Sequence, residues 1–259
     1  MANFSSPILQ ISNLTKSFGG RQSLADVSFH VHPQECLGII GPNGAGKTTL
    51  FNLLTGFYKP TAGSIFWQQK PIQGFSPTAI ARLGIARTFQ NIRLFKQLSV
   101  LENVRIAYDS RLNYTPMGAL LRTPFARGQE KNSNKAALEL LEMLGMTEMA
   151  QQPAGSLPYG FQRRLEIARA LALNPKLLLL DEPVAGMNEQ EMGKILELLR
   201  WVQQEFSSTF ILIEHHMRFV MELCPRLLVL DFGSLIAEGS PNEIKKNQRV
   251  IEAYLGRES

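Results

Sequence analysis

Cysteine is scarce in this chain: Cys36 and Cys224 are the only two among 259 residues. Two thiols so far apart make neither a disulfide framework nor a spaced zinc quartet, which suits a reducing compartment. Long hydrophobic runs are missing too. The longest, such as Leu177–Leu180, fall far short of the roughly 18–20 apolar residues of a membrane-spanning helix. The opening stretch Met1–Pro7 has neither a basic leader nor an apolar core, so no secretion signal is expected. Charge of one sign is not in large excess either, with 27 Lys and Arg against 22 Asp and Glu. The surplus gathers between Arg105 and Lys135, where Arg105, Arg111, Arg122, Arg127, Lys131 and Lys135 face only Asp109 and Glu130. No basic stripe interleaved with aromatics accompanies it, and nucleic acid is not an expected partner. Internal repeats and low-complexity segments are absent.

What is there is ordinary globular composition, 44% hydrophobic and 19% charged, in a length that suits one large domain or two small ones. Short β-branched or Leu-rich runs predict strands at Ile8–Leu14, Val27–Val31, Cys36–Ile40, Gly63–Trp67, Leu177–Leu180, Phe210–Ile213 and Leu227–Leu230. A turn is expected at Ser17-Phe18-Gly19-Gly20. Helical spacing fills the intervals: Lys47–Thr55, Ala136–Leu144 with Ala137, Leu140, Leu141 and Leu144 on one face, the stretch from Phe161 to Ala172, and Met192–Phe206. Alternating strands and helices predict an α/β fold with a mostly parallel core sheet. The region from about 91 to 157 shows helical periodicity and no convincing strand. It is expected to be a helical lobe inserted into a single domain spanning 1–259, with 1–90 and 158–259 forming the sheet-based core.

The strongest motif is Gly41-Pro42-Asn43-Gly44-Ala45-Gly46-Lys47-Thr48, a complete G-x-x-x-x-G-K-[ST] between an apolar strand and a helix. Its glycines allow successive backbone N–H groups to point at phosphate oxygens, helped by the partial positive charge of the helix start. Lys47 supplies a mobile charge to β- and γ-phosphates, and Thr48, followed by Thr49, offers a hydroxyl to Mg²⁺. This pattern predicts binding of a nucleoside triphosphate. A second signal, Leu177-Leu178-Leu179-Leu180-Asp181-Glu182, buries a strand and leaves two carboxylates at its tip. Asp181 is placed to hold the Mg²⁺ shell, and Glu182 to polarise an attacking water.

With these residues the chain resembles the ATP-binding subunits of ABC transporters along nearly its whole length. The resemblance implies a P-loop NTPase with an N-terminal antiparallel β subdomain and an inserted helical subdomain, using ATP and Mg²⁺. It implies that Gln90, in Thr88-Phe89-Gln90-Asn91, joins the Mg²⁺ and water shell to the helical lobe. His215, in Ile213-Glu214-His215-His216, resembles the switch histidine that contacts the γ-phosphate, and Phe18 the aromatic that stacks on adenine. The family signature appears as Leu157-Pro158-Tyr159-Gly160-Phe161, matching the usual Leu-Ser-Gly-Gly-Gln only at Leu157 and Gly160. Leu157, Pro158, Tyr159 and Gly160 are thereby assigned to the ATP bound by a second subunit. Proline there offers neither a hydroxyl nor an N–H, and Gly160's amide is left more of the contact. Asn188 stands where the family has Asp.

The combination of that signature, its Arg-Arg-Leu-Glu-Ile-Ala-Arg-Ala-Leu tail, Ala185-Gly186-Met187-Asn188 and the ending Ile251–Gly256 resembles ATPases of bacterial branched-chain or hydrophobic amino acid importers. Urea or amide importers and lipopolysaccharide exporters have overlapping signatures. A soluble ABC-type ATPase is a rival from another class, disfavoured by the lack of sustained heptads. The implied partners are a second ATPase subunit of different sequence, two integral membrane permease subunits and, indirectly, a periplasmic substrate-binding protein. The implied location is the cytoplasmic face of the inner membrane. Arg87, the segment Asn91–Phe95 and the basic stretch Arg105–Lys135 are expected to form the surface that docks on the permease.

Overall fold

A computed structural model describes residues 6–110 and 124–255. In chain order, the first segment carries β1 (Leu9–Phe18), β2 (Arg21–Val31), β3 (Cys36–Ile40), α1 (Lys47–Leu54), β4 (Ala62–Trp67), β5 (Lys70–Pro71), α2 (Pro77–Arg82) and β6 (Ile85–Arg87). Then come α3 (Val100–Asp109), α4 (Pro124–Met143) and α5 (Tyr159–Ala172). The last segment carries β7 (Leu177–Asp181), α6 (Glu189–Glu205), β8 (Thr209–Ile213), α7 (Met217–Leu223), β9 (Arg226–Asp231), β10 (Ser234–Gly239), α8 (Pro241–Lys246) and α9 (Gln248–Leu255). The chain divides into two compact units, Met1–Arg87 with Lys176–Ser259, and Thr88–Pro175. No helix of the described residues is long and apolar enough to cross a membrane.

The first unit holds two sheets. One has the order β2-β1-β4-β5 and is antiparallel throughout. Its strand β1 alternates buried Leu9 and Ile11 with exposed Gln10, the period expected when one face meets the core. The other sheet has the order β10-β9-β3-β8-β7-β6, parallel except for β10 against β9. Strands β3, β7 and β8 are buried at every residue, which is why they read as unbroken apolar runs rather than alternating ones. Strand β6 has only three residues, too few for a periodic signal, and the edge strand β10 was equally silent in the sequence. Strand β1 reaches Phe18, so the expected turn contracts to Gly19-Gly20, both with positive φ.

The second unit is helical. Helix α3 packs against α4 and α5, and Val104, Ala137, Leu140, Leu141, Leu144 and Leu165 are all buried. A capping box, in which Ser99 and Glu102 exchange bonds, starts α3. Buried Asn103 then ties Oδ1 to the Phe95 amide and Nδ2 to the carbonyls of Phe95 and Ser99. Residues 158–175 are expected with the sheet-based core. They belong to the helical unit instead, because α5 packs its apolar face on α3.

The two cysteines lie in the first unit, both about 1% exposed, with their sulfurs 3.2 Å apart as free thiols. Burial first, and then the neighbouring Cys36, push the Cys224 thiol well above its usual range. Because both sulfurs are shut away from solvent, a disulfide-exchange reagent should leave both unlabelled in folded protein and label both in denaturant. Rapid labelling of the folded chain would contradict this packing.

Candidate functional site

Parallel strands β3, β7 and β8 are neighbours in register, so the loops leaving their carboxyl ends lie side by side, where open α/β sheets bind ligands. The loop after β3 is the Gly41–Gly46 turn. Gly41 has φ +147, and a Cβ there would stand 2.0 Å from the Leu230 carbonyl oxygen. Gly46 has φ +102 and would place a Cβ 2.6 Å from the Ser23 oxygen. Both positions require glycine sterically as well as conformationally. The amide of Gly233, in the β9–β10 turn, donates to the Ala45 carbonyl at 3.0 Å and clips that turn to the loop.

Lys47 opens α1, and its ammonium donates to the carbonyls of Gly41 at 2.6 Å and Pro42 at 2.9 Å. The loop's own oxygens thus hold the cation at its centre. Thr48 is exposed, whereas the Thr49 hydroxyl is bonded to Ser23 at 2.8 Å. Phe18 is 43% exposed and makes an edge contact with Tyr58. It lines a cleft with Arg21, Gln22, Ser23, Gly44 and Phe232, so the expected base-stacking aromatic and the phosphate loop share one depression. Phe232, exposed in the β9–β10 turn, was not anticipated from sequence.

At the end of β7, Asp181 accepts from Arg87 Nη2 at 2.7 Å, with each side chain only 6% exposed. Arg87 Nη1 reaches Asn52 Oδ1 on α1, also at 2.7 Å, and the guanidinium lies over the Phe51 ring. This corrects one expectation. Arg87 is not part of an outer docking surface; it is a buried cation joining β6, β7 and α1. Glu182 adopts φ +47, unusual outside glycine and concentrated at functional positions. Its amide donates to the Ile213 carbonyl at 2.8 Å, and its carboxylate lies 3.8 Å from His215 Nδ1.

Glu214, between β8 and His215, was passed over in the sequence. Its carboxylate is fully buried and accepts from the amides of Val184, His215 and His216 and from His216 Nδ1, at 2.8 to 3.2 Å. Glu214, His215 and His216 bring potential metal-ligand atoms within 4.8 Å of one another. With its oxygens already engaged by N–H groups, the carboxylate is spoken for, and the cluster is a hydrogen-bonded anchor.

The remaining expected residues, Asn188 apart, lie in the second unit. The Gln90 carbonyl accepts from Arg163 Nη2 at 2.9 Å, and the Phe89 carbonyl from Nη1 at 2.7 Å. Arg163 is fully buried and paired with Glu166 at 2.6 Å; burial pushes the Glu166 carboxyl up, with Arg163 opposing. Leu157 precedes α5, Pro158 is its N-cap without a side-chain cap, and Tyr159 and Gly160 form its first turn. Gln162 folds back so that its amide donates to the Leu157 carbonyl at 2.8 Å. Asn188 caps α6 through a reciprocal bond pair with Glu191, a task asparagine performs as well as aspartate. Of the expected docking residues, Arg93 and Phe95 are exposed, with Arg93 over the Phe89 ring and Arg169 over that of Phe95. Lys135 pairs with Glu139 in solvent, Arg105 lies 3.9 Å from Asp109, and residues 111–123 of the basic stretch lie outside those described.

Comparison with known proteins agrees with this geometry. Residues 24–185 match the ABC transporter family, and residues 234–259 match the branched-chain amino acid ATP-binding cassette transporter family. The chain is 44% identical to the high-affinity branched-chain amino acid transport ATP-binding protein BraF of Pseudomonas aeruginosa, over 97% of this chain and 99% of that one. It is equally identical, with the same coverage, to LivG of Escherichia coli, whose name describes the same activity. An ATP-binding cassette of an ABC transporter, solved in its ADP conformation, superimposes with a TM-score of 0.84 at 32% identity, covering 98% of this chain and all of that one. The chain is a P-loop ATPase of α/β fold and belongs to the ABC transporter family.

Proposed function

We propose that this chain is the ATP-hydrolysing subunit of an importer for branched-chain or other hydrophobic amino acids. The observation that carries the reading is its 44% identity, along almost its entire length, to proteins named for that transport. The subunit sits on the cytoplasmic face of the inner membrane, held there by two integral permease subunits. A second ATPase chain of different sequence completes the nucleotide sites, and a periplasmic binding protein delivers cargo.

The loop amides and Lys47 hold the β- and γ-phosphates, and Phe18 stacks on the adenine. The Thr48 hydroxyl and Asp181 carboxylate are hard oxygen donors of the kind Mg²⁺ takes, and Gln90's share in that shell follows from the family resemblance. Bound there, the ion neutralises phosphate charge and orders the oxygens. Glu182 receives the proton of the attacking water, while His215 contacts the γ-phosphate. Across the dimer, Leu157–Gly160 faces the partner's ATP, with Pro158 supplying no N–H. Loss of the shared γ-phosphate opens the pair, and the Asn91–Phe95 surface passes the movement to the permease.

Reconstitution into vesicles with permease, second ATPase and binding protein tests the reading. Leucine, isoleucine or valine should stimulate ATP turnover and accumulate inside. Stimulation only by urea or an amide would reassign the cargo, and turnover independent of any permease would favour a soluble ATPase.

A further inference from the structure

We infer that Glu214 is a positioning residue for hydrolysis, acting by holding the loop after β7 and the loop after β8 in one fixed relation. The inference rests on the ATPase reading above and extends it to a residue outside the nucleotide motifs. Asp181 and Ile213 are paired in adjacent parallel strands, so Glu182 and Glu214 leave the sheet at the same level. The Glu182 amide still bonds the Ile213 carbonyl; beyond it the two loops diverge, and a further link must hold them together. Glu214 supplies that link. Its Oε1 accepts from Val184, two residues beyond Glu182, at 3.2 Å. Its Oε2 accepts from the backbone of His215 at 2.8 Å and of His216 at 3.1 Å, and from His216 Nδ1 at 2.9 Å.

The bonds to Oε2 wrap the chain around a fully buried anion, so the backbone that carries the His215 ring has little freedom. The bond to Oε1 holds the Glu182 loop at Val184, adding to the backbone bond from the Glu182 amide to Ile213 that fixes the start of that loop. The 3.8 Å between His215 Nδ1 and Glu182 Oε2 is therefore determined jointly through Glu214. Hydrolysis requires both groups to meet the same reacting phosphate, and a misplacement of about 1 Å can slow such a step about 10²-fold. Nucleotide binding itself uses the Gly41–Thr48 loop, which Glu214 does not touch in any of these bonds.

Glu214→Gln tests this. The amide keeps the shape but turns an N–H toward backbone N–H groups. With full-length chain in the assembled transporter, kcat should fall by about 10²-fold while the KM for Mg·ATP changes less than about threefold. Imidazole NMR gives a second readout, simple because the chain has four histidines. The His215 and His216 resonances should move and those of His30 and His32 stay. An unchanged kcat, a rise in KM alone, or a fall in kcat with the His215 and His216 resonances unmoved would each overturn the proposal. If Glu214→Gln does not fold, Glu214→Asp serves: it keeps the charge but is one methylene too short to span both loops, and a parent-like kcat would overturn the idea. A parent protein that hydrolyses no ATP would instead remove the function on which the inference rests.

Discussion

Replacing Glu182 by glutamine should slow ATP hydrolysis by roughly 10²–10⁴-fold while leaving ATP binding near the parent level. The side chain is well placed for a large effect. It is 18% exposed, close to His215, and set at the tip of a buried strand, one strand removed from the one that leads into the Gly41–Thr48 loop. Glutamine has the same shape and leaves the backbone bond from the residue 182 amide to Ile213 in place. What disappears is the proton acceptor. Single-turnover hydrolysis measured beside equilibrium ATP binding separates the two consequences. Parent-rate cleavage would take Glu182 out of the general-base role.

Replacing Arg87 by methionine should destabilise the chain by about 3–5 kcal/mol, the usual penalty for leaving a buried charge without its partner. The pair is almost entirely removed from water, and its 2.7 Å contact is reinforced by the second bond to Asn52. Asp181 would then be a buried carboxylate facing an apolar side chain. Adding Asp181→Asn to the same protein should recover much of the loss, since the stranded charge goes with it. Urea unfolding of the single and double variants measures both terms. A single variant within about 1 kcal/mol of the parent would mean that water or another donor takes over from the guanidinium.

These two residues also mark how far the sequence could be read. Gly41–Thr48 was legible because its chemistry is local: consecutive residues supply the amides, the cation and the hydroxyl. Asp181 and Glu182 were legible because four leucines announce the strand they end. Arg87 was misread as a surface cation, since its partner is 94 residues away and its own strand has three residues. Glu214 follows an apolar strand just as Glu182 does, a parallel that the sequence offers. Its meaning nevertheless depends on Val184, brought close only by the pairing of β7 with β8. Likewise the spacing of Leu165 and Ala168 announces a helix but cannot say which neighbour it packs against, so the boundary of the helical unit fell in the wrong place.

The chain leaves the sheet at Arg87 and re-enters it at Lys176, on strands that lie next to each other, and the Lys176 amide donates to the Gly84 carbonyl at 2.8 Å. Because β6 and β7 run parallel, exit and re-entry lie on adjacent strands but at opposite ends of them, Lys176 standing beside Gly84 before β6 and not beside Arg87. Such an arrangement makes the helical unit a modular crossover: it can be lengthened or trimmed without disturbing a hydrogen bond of the sheet, provided that it still carries the chain from the end of β6 back to the start of β7. The sheet unit and the inserted helical unit are then free to evolve at different speeds within one polypeptide.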